Sequence, residues 1–125
     1  MNPHNPNPTL IDSFHYASAG LWVVVRTQRN FRIHLGVAVA AVVLGAWLGI
    51  SLERWAVLVV TIGSVLVAEI SNTAAEALVD LASPDYHPLA KQVKDMAAAA
   101  VMLTAGVAVV VGLLLLGPPL LARIF

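Results

Sequence analysis

The sequence predicts an all-α membrane fold with three spanning helices, and three observations carry this prediction. Of the 125 residues, 59% are hydrophobic and only 11% are charged, a composition typical of membrane proteins. Three apolar stretches are each about 18 residues or longer, the length that a helix needs to cross about 30 Å of hydrocarbon. The chain contains no cysteine, so disulfides and thiolate metal sites are excluded.

The N-terminal segment has a different pattern from the apolar stretches. Residues 1–8 are rich in Pro and Asn and lack the basic and apolar regions of a signal peptide, so we expect no cleaved signal peptide here. We also expect these eight residues to be disordered. From residue 9 to about residue 30, apolar side chains recur at approximately helical spacing. This pattern predicts an amphipathic helix at the membrane interface, with Thr9 or Asp12 capping its start.

The apolar stretches predict spanning helices at about residues 33–52, 55–81 and 92–117. The first two are joined by a minimal turn around Ser51, which makes them an antiparallel hairpin. A loop containing two prolines separates the second from the third. Residues 9–125 are therefore expected to form a single domain.

Lys and Arg residues lie mainly on one side of the predicted spans. Positions 26, 29, 32, 91 and 94 are on that side, and only positions 54 and 123 are on the other. The positive-inside rule then predicts a protein of the cell membrane with a cytoplasmic N-terminus and a cytoplasmic loop at residues 82–94. The formal net charge is zero, so no basic field indicates a nucleic-acid partner.

The segment VAEISNTAAEALVDL, residues 67 to 81, places polar residues inside an otherwise apolar stretch. On a helix Glu69, Thr73, Glu76 and Asp80 fall on one stripe, and Asn72 lies at its edge. Ionised carboxylates on one stripe repel one another and disfavour the helix. A metal cation or a bound proton is therefore expected to neutralise them.

The depth of these carboxylates suggests different roles. With Trp55 anchored at the outer interface, Glu69 lies roughly 21 Å and Glu76 roughly 31 Å further along the helix. Glu69 is then inside the hydrocarbon, where a carboxylate is suited to moving protons. Glu76 reaches the water boundary, where a carboxylate is suited to holding Mg²⁺.

Simpler roles exist for each residue taken alone. A single intramembrane Glu is often a paired structural group, and Asn72 alone is more often an interhelical hydrogen-bonding residue. Asp80 alone is more simply a solvated charge at the end of a helix. The complete set is harder to explain in these terms.

A second group of polar residues lies in PDYHPLAKQVKDMAAAAV, residues 84 to 101. Lys94 and Asp95 enter the third span at the depth of Glu76, where a Lys can neutralise triphosphate oxygens. The alternative is that Lys91 and Lys94 extend to the interface and that Lys91 forms an ordinary i,i+4 pair with Asp95.

The motifs EISNTAAEALVDL and DYHPLAKQVKDMAAAAV, with NFRIH before the first span, resemble the small prokaryotic diacylglycerol kinase family. NFRIH and YHPLAK are most similar to its undecaprenol kinase branch. The resemblance covers about residues 13–118. It implies a three-span homotrimer that transfers the γ-phosphate of ATP to a lipid hydroxyl, of undecaprenol or diacylglycerol, with Mg²⁺.

The resemblance also implies roles for particular residues. Glu69 resembles the catalytic base, Asn72 its polar partner, and Glu76 a metal-binding carboxylate. Gln28 stands where the family usually has a second metal-binding Glu, and its neutral amide is a weaker ligand for Mg²⁺. The implied nucleotide contacts are Tyr16, Asp85, Tyr86, His87, Lys94 and Asp95.

Two other functions are compatible with parts of the sequence. A small proton-coupled transporter would use an intramembrane Glu69 to carry protons. It leaves four polar residues without a role: Asn72, Glu76, Lys94 and Asp95. A structural subunit of a larger complex is supported only by the small size of the chain and its Gly- and Ala-rich helices. Consumption of ATP in the presence of lipid would distinguish the three.

Overall fold

The computed structural model describes residues 9–125, which form four helices joined by short connections. The helices are α1 (Leu10–Thr27), α2 (Arg29–Leu48), α3 (Leu52–Ala82) and α4 (Pro88–Ile124). The last three are long and apolar enough to cross a membrane, and residues 9–125 contain no strand. The predicted all-α fold with three spans is therefore confirmed, while the predicted disorder of residues 1–8 lies outside the described residues.

The start of α1 is fixed by a reciprocal capping box. Thr9 Oγ1 accepts a hydrogen bond from the Asp12 backbone N–H at 3.2 Å, and Asp12 Oδ2 accepts one from the Thr9 backbone N–H at 2.9 Å. This satisfies two amide groups that a helix start leaves without partners. The Thr9 hydroxyl and the Thr9 amide also lower the pKa of the Asp12 carboxyl below its ordinary value. Thr9 is the cap and Asp12 its partner.

The break between α1 and α2 falls at Gln28, whose backbone is extended. The last carbonyls of α1 have no helical N–H partner, and Arg32 compensates for this. Its Nη1 donates to the carbonyl of Val25 at 3.1 Å and to that of Arg26 at 2.9 Å. The interfacial helix therefore ends at Thr27, a few residues before the predicted position, and the first span begins correspondingly earlier.

The turn between α2 and α3 depends on two glycines with different roles. Gly49 has φ of +64°, the left-handed conformation that favours Gly at a helix C-terminus. A Cβ at Gly45 would lie 3.1 Å from Ile50 Cδ1 and 3.3 Å from Trp55 Cη2. Gly45 therefore allows Trp55 to pack closely against α2, while Gly49 shapes the turn.

Helix α4 continues to Ile124, through Pro118–Pro119, although the sequence predicts that the third span ends at residue 117. Pro119 has no N–H, so the Leu115 carbonyl loses its helical partner. Arg54 Nη1, on α3, donates to this carbonyl at 3.4 Å. A tertiary hydrogen bond thus replaces the one that the proline removes.

A second arginine joins helices at the same end of the molecule. Arg123 Nη1 donates to the Trp47 carbonyl at 3.0 Å, and its guanidinium lies 4.6 Å from the centre of the Trp47 ring. Below this contact lies the core cluster, formed by Ile50, Leu58 and Leu116. These contacts fix one end of the bundle, and the polar residues lie at the other.

Candidate active site

The polar residues gather at the end of the bundle where α2 begins, α3 ends and α4 begins. Glu76 lies six residues before the end of α3 and Lys94 six residues after the start of α4. Each is therefore about 9 Å from its helix end, while Glu69 is about 20 Å from the end of α3. Lys94 belongs to the third spanning helix, as predicted, and Lys91 belongs to it as well rather than to the preceding loop, because α4 already starts at Pro88.

Glu69 is the only buried polar or charged residue among residues 9–125, with 3% of its surface exposed. Its Oε1 lies 3.1 Å from Nε2 of His34 on α2. Despite this proximity, Oε1 makes no hydrogen bond within the described part of the chain. A buried carboxylate oxygen without a hydrogen bond is costly and is a candidate for contact with a reactant.

Asn72 and Glu76 form a polar pair about one and two helical turns beyond Glu69, nearer the end of α3. Asn72 Nδ2 donates to Glu76 Oε1 at 3.1 Å. Asn72 Oδ1 is buried and has no hydrogen-bond partner among residues 9–125. The pair thus presents an amide oxygen and a carboxylate, both of the oxygen type that Mg²⁺ prefers.

The two lysines of α4 make ion pairs with acidic residues. Lys94 Nζ lies 2.5 Å from Asp80 Oδ1 on α3, and Lys91 pairs with Asp95 one turn along α4. The Lys91–Asp95 pair agrees with the simpler i,i+4 interpretation of these residues. Asp80 is exposed at the end of α3, which agrees with the interpretation of Asp80 as a solvated charge, but it also forms an ion pair with Lys94.

The connection between α3 and α4 carries three of the predicted nucleotide contacts. Tyr86 is 81% exposed. His87 Nδ1 accepts a hydrogen bond from the Leu89 N–H at 3.1 Å and so caps α4. The Asp85 carbonyl accepts a hydrogen bond from the Ser83 hydroxyl at 3.0 Å. His87 therefore has a structural role that the sequence interpretation did not include.

Two other predicted site residues, Tyr16 and Gln28, do not belong to the helix that carries Glu69 and Glu76. Tyr16 is partly buried on α1, and Gln28 stands at the junction of α1 and α2. The Gln28 side chain makes no hydrogen bond that caps α2. The structure therefore does not join either side chain to Glu76.

A cavity of about 260 Å³ lies between α2, α3 and α4. Its lining is apolar apart from two side chains, those of His34 and Thr61. His34 thus contacts the cavity on one side and Glu69 on the other. Glu69 itself does not line the cavity, so His34 is the residue that contacts both the apolar space and the buried carboxylate.

His34 is the residue of this site that sequence reasoning missed, because it looked like one of four scattered histidines. A signal existed: His34 lies at the start of the first span, two residues after Arg32. That depth is close to the depth of Glu69 near the same membrane edge. Only the packing of α2 on α3 shows that the two side chains meet.

Comparisons with known proteins agree with this arrangement. The family model for prokaryotic diacylglycerol kinase matches residues 15–116. An undecaprenol kinase of Bacillus subtilis (strain 168) is 40% identical over 108 residues, 86% of this chain and 88% of that protein. A diacylglycerol kinase of Synechocystis sp. is 47% identical over 116 residues, 92% of this chain and 66% of that protein.

A third relative matches over the same length as the undecaprenol kinase does. The diacylglycerol kinase of Escherichia coli (strain K12) is 36% identical over 108 residues, 86% of this chain and 88% of that protein. The family model and these relatives cover both motif regions and all the helices that carry the polar residues. The chain therefore belongs to the prokaryotic diacylglycerol kinase family, the family of membrane lipid kinases that its motifs indicate.

Proposed function

We propose that this protein is a membrane-embedded kinase that transfers the γ-phosphate of ATP to the hydroxyl of a lipid alcohol. The observation that carries the proposal is Glu69, a buried carboxylate whose Oε1 has no hydrogen bond among residues 9–125 and lies 3.1 Å from His34, a residue that lines an apolar cavity. Such a group can accept the proton of a lipid hydroxyl whose hydrocarbon chain stays in the membrane. Family membership supports the same activity, and the comparisons give the transporter alternative no support.

The proposed reaction needs little covalent chemistry from the protein. Glu69 accepts the hydroxyl proton while the lipid oxygen attacks the γ-phosphorus, and the bond to the leaving ADP oxygen breaks. Positioning and charge neutralisation supply most of the catalysis in phosphoryl transfer. Lys94 neutralises phosphate oxygens once it exchanges Asp80 for ATP, and exposed ion pairs of this kind contribute only about 0–1 kcal/mol.

Asn72 Oδ1 and the Glu76 carboxylate fit a hard cation, because both are oxygen ligands on one face of α3. Gln28 would add a neutral amide oxygen to them. Mg²⁺ bound there would neutralise charge on the phosphate oxygens of ATP. The remaining proposed nucleotide contacts are Tyr16, Asp85, Tyr86, His87 and Asp95.

The proposal also covers the orientation of the protein in the membrane and its oligomeric state. ATP is cytoplasmic, so the end of the bundle with Glu76 and Lys94 faces the cytoplasm. In this proposal three copies of the chain form a homotrimer, and α4, of whose apolar window only 6% is buried within one chain, has surface available for contacts with the other copies.

The lipid acceptor is undecaprenol or diacylglycerol. The motifs NFRIH and YHPLAK favour undecaprenol, whereas the matches to an undecaprenol kinase at 40% and a diacylglycerol kinase at 47% favour neither strongly. Purified protein in detergent, incubated with radiolabelled ATP, Mg²⁺ and each lipid in turn, should phosphorylate at least one of them. Absence of any phosphorylated lipid with both acceptors would contradict the proposed function.

Restoring a carboxylate at residue 28 should strengthen the metal site. If Gln28 lies beside Glu76 at the metal, Gln28→Glu adds a second carboxylate, and the half-maximal rate should be reached at a lower Mg²⁺ concentration. Without metal the two carboxylates repel, so the variant should unfold at a lower temperature than the parent. An unaltered Mg²⁺ titration would mean that residue 28 does not contact the ion.

The orientation can be tested with single cysteines because the chain has none of its own. Ser83→Cys lies in the connection between α3 and α4, and Ser51→Cys lies in the turn at the opposite end. A membrane-impermeant maleimide should label Ser83→Cys only in inverted vesicles and Ser51→Cys only in intact cells. The reverse pattern would overturn the topology and the access of cytoplasmic ATP to the site.

A further inference from the structure

The proposed reaction leaves a proton on the buried carboxyl group of Glu69, which has little contact with water. Each transfer of phosphate to a lipid hydroxyl releases one proton to Glu69, whose side chain is only 4% exposed. Turnover requires Glu69 to become ionised again before the next lipid reacts. A group that contacts both Glu69 and a more accessible region is therefore needed.

His34 is placed to be that group. Its Nε2 lies 3.1 Å from Glu69 Oε1, and its side chain is 25% exposed. Among residues 9–125, no other cationic side chain lies within 4.0 Å of the Glu69 carboxylate. From α4, the residues that line the cavity beside His34 are neutral: Ala105, Ala108 and Val109.

The position of His34 along α2 gives the proton a short way out. His34 is the sixth residue of α2, which begins at Arg29 at the polar end of the bundle. Residue 34 is thus only about 8 Å along the axis from the helix start. An imidazole changes protonation state near neutral pH more readily than any other ordinary side chain.

We propose that His34 relays the reaction proton from Glu69 to water, an inference that rests on the proposed kinase function. The lipid O–H bond breaks as Glu69 Oε1–H forms. That bond then breaks as the proton passes to the lone pair of His34 Nε2, and the imidazolium loses its Nδ1 proton to water. Exchange with water then moves the remaining ring proton from Nε2 back to Nδ1, which restores the starting tautomer. Glu69 is left ionised and His34 neutral, so no other reactant is consumed.

A purely orienting role for His34 makes a different prediction. An amide side chain can donate a hydrogen bond to Glu69 and hold it in place, but it cannot accept and release a proton. His34→Gln and His34→Asn therefore separate the two roles. For a relay, both variants should lose roughly 10²-fold in kcat, the lower end of the range for acid–base groups, with KM for ATP and lipid changed by less than about twofold.

Chemical rescue provides a second readout. In His34→Ala, the lost ring leaves space that joins the cavity of about 260 Å³, which is large enough for free imidazole to enter. Added imidazole should raise the kcat of His34→Ala at least about tenfold and in a saturable way, since it restores an acid–base group. It should not rescue Glu69→Gln, which lacks the first acceptor.

The experiment has a matched histidine control and clear contrary outcomes. His15→Gln changes an exposed histidine of α1 and should keep the kcat of the parent, with no response to imidazole. Size-exclusion chromatography in detergent establishes that each variant assembles like the parent. If His34→Ala does not assemble, the Gln and Asn variants still test the relay.

The relay is overturned if His34→Gln retains kcat within about twofold of the parent, because orientation alone would then be sufficient. It is also overturned if His34→Gln raises only KM for the lipid, which would make His34 a lipid-binding residue. A parent protein that phosphorylates no lipid alcohol would instead contradict the proposed function itself.

Discussion

Glu69→Gln is expected to insert and assemble normally but to lose phosphotransfer by at least about 10²-fold, up to 10⁴-fold, the range that a general base contributes. The substitution keeps the size of the side chain and a carbonyl oxygen facing His34. It removes a buried negative charge, so it should not destabilise the bundle. What it eliminates is the ability to accept the proton of the lipid hydroxyl.

The measurement is the initial rate of transfer from radiolabelled ATP to lipid, made at saturating ATP, lipid and Mg²⁺. Glu53→Gln is the matched control, because it is the same substitution on the same helix, at the exposed end opposite the site. The control should retain the rate of the parent. Retention of more than about a tenth of the parent rate by Glu69→Gln would rule out its role as the base.

The spans and the acidic stripe could be predicted from the sequence because both depend on local periodicity. An apolar stretch of sufficient length forms a helix in hydrocarbon, where backbone groups have no other partner. Once α3 is a helix, the spacing of Glu69, Asn72 and Glu76 places them near one another. The structure shows the same order, with Asn72 hydrogen-bonded to Glu76.

Helix ends that depend on tertiary contacts could not be predicted in this way. The apolar stretch predicts a third span that ends at about residue 117, just before the pair Pro118–Pro119, which normally interrupts a helix. The helix nevertheless continues to Ile124, and Arg54 donates to the Leu115 carbonyl that Pro119 leaves without a helical partner. Arg54 is 61 residues from Leu115 in the sequence, and no local pattern connects them.

Local sequence patterns also could not predict which residues the charged side chains pair with. The sequence places Glu69 and His34 at similar depths, but depth does not determine which faces of α2 and α3 meet. Lys94 likewise pairs with Asp80 across the connection between α3 and α4. These pairings follow from the rotation of each helix about its axis, which is set by packing throughout the bundle.

Glu76 should give a different kinetic signature from Glu69, because its proposed role is to hold Mg²⁺. Glu76→Ala is expected to raise the Mg²⁺ concentration for half-maximal rate by roughly tenfold or more, since even indirect partners of a metal site contribute 10–100-fold to affinity. ATP should bind more weakly, and only when Mg²⁺ is present. Glu69→Gln should leave the Mg²⁺ midpoint unchanged.

Truncation of Glu76 also removes the acceptor for the Asn72 amide, so a second variant is needed to isolate the charge. Glu76→Gln keeps an oxygen that can accept from Asn72 Nδ2 while removing the negative charge. If Glu76 is a metal ligand, both variants should shift the Mg²⁺ titration, because a neutral amide binds a hard cation less strongly than a carboxylate. If Glu76→Ala alone reduces the rate and neither variant moves the Mg²⁺ midpoint, Glu76 acts by orienting Asn72, and the ion is held elsewhere.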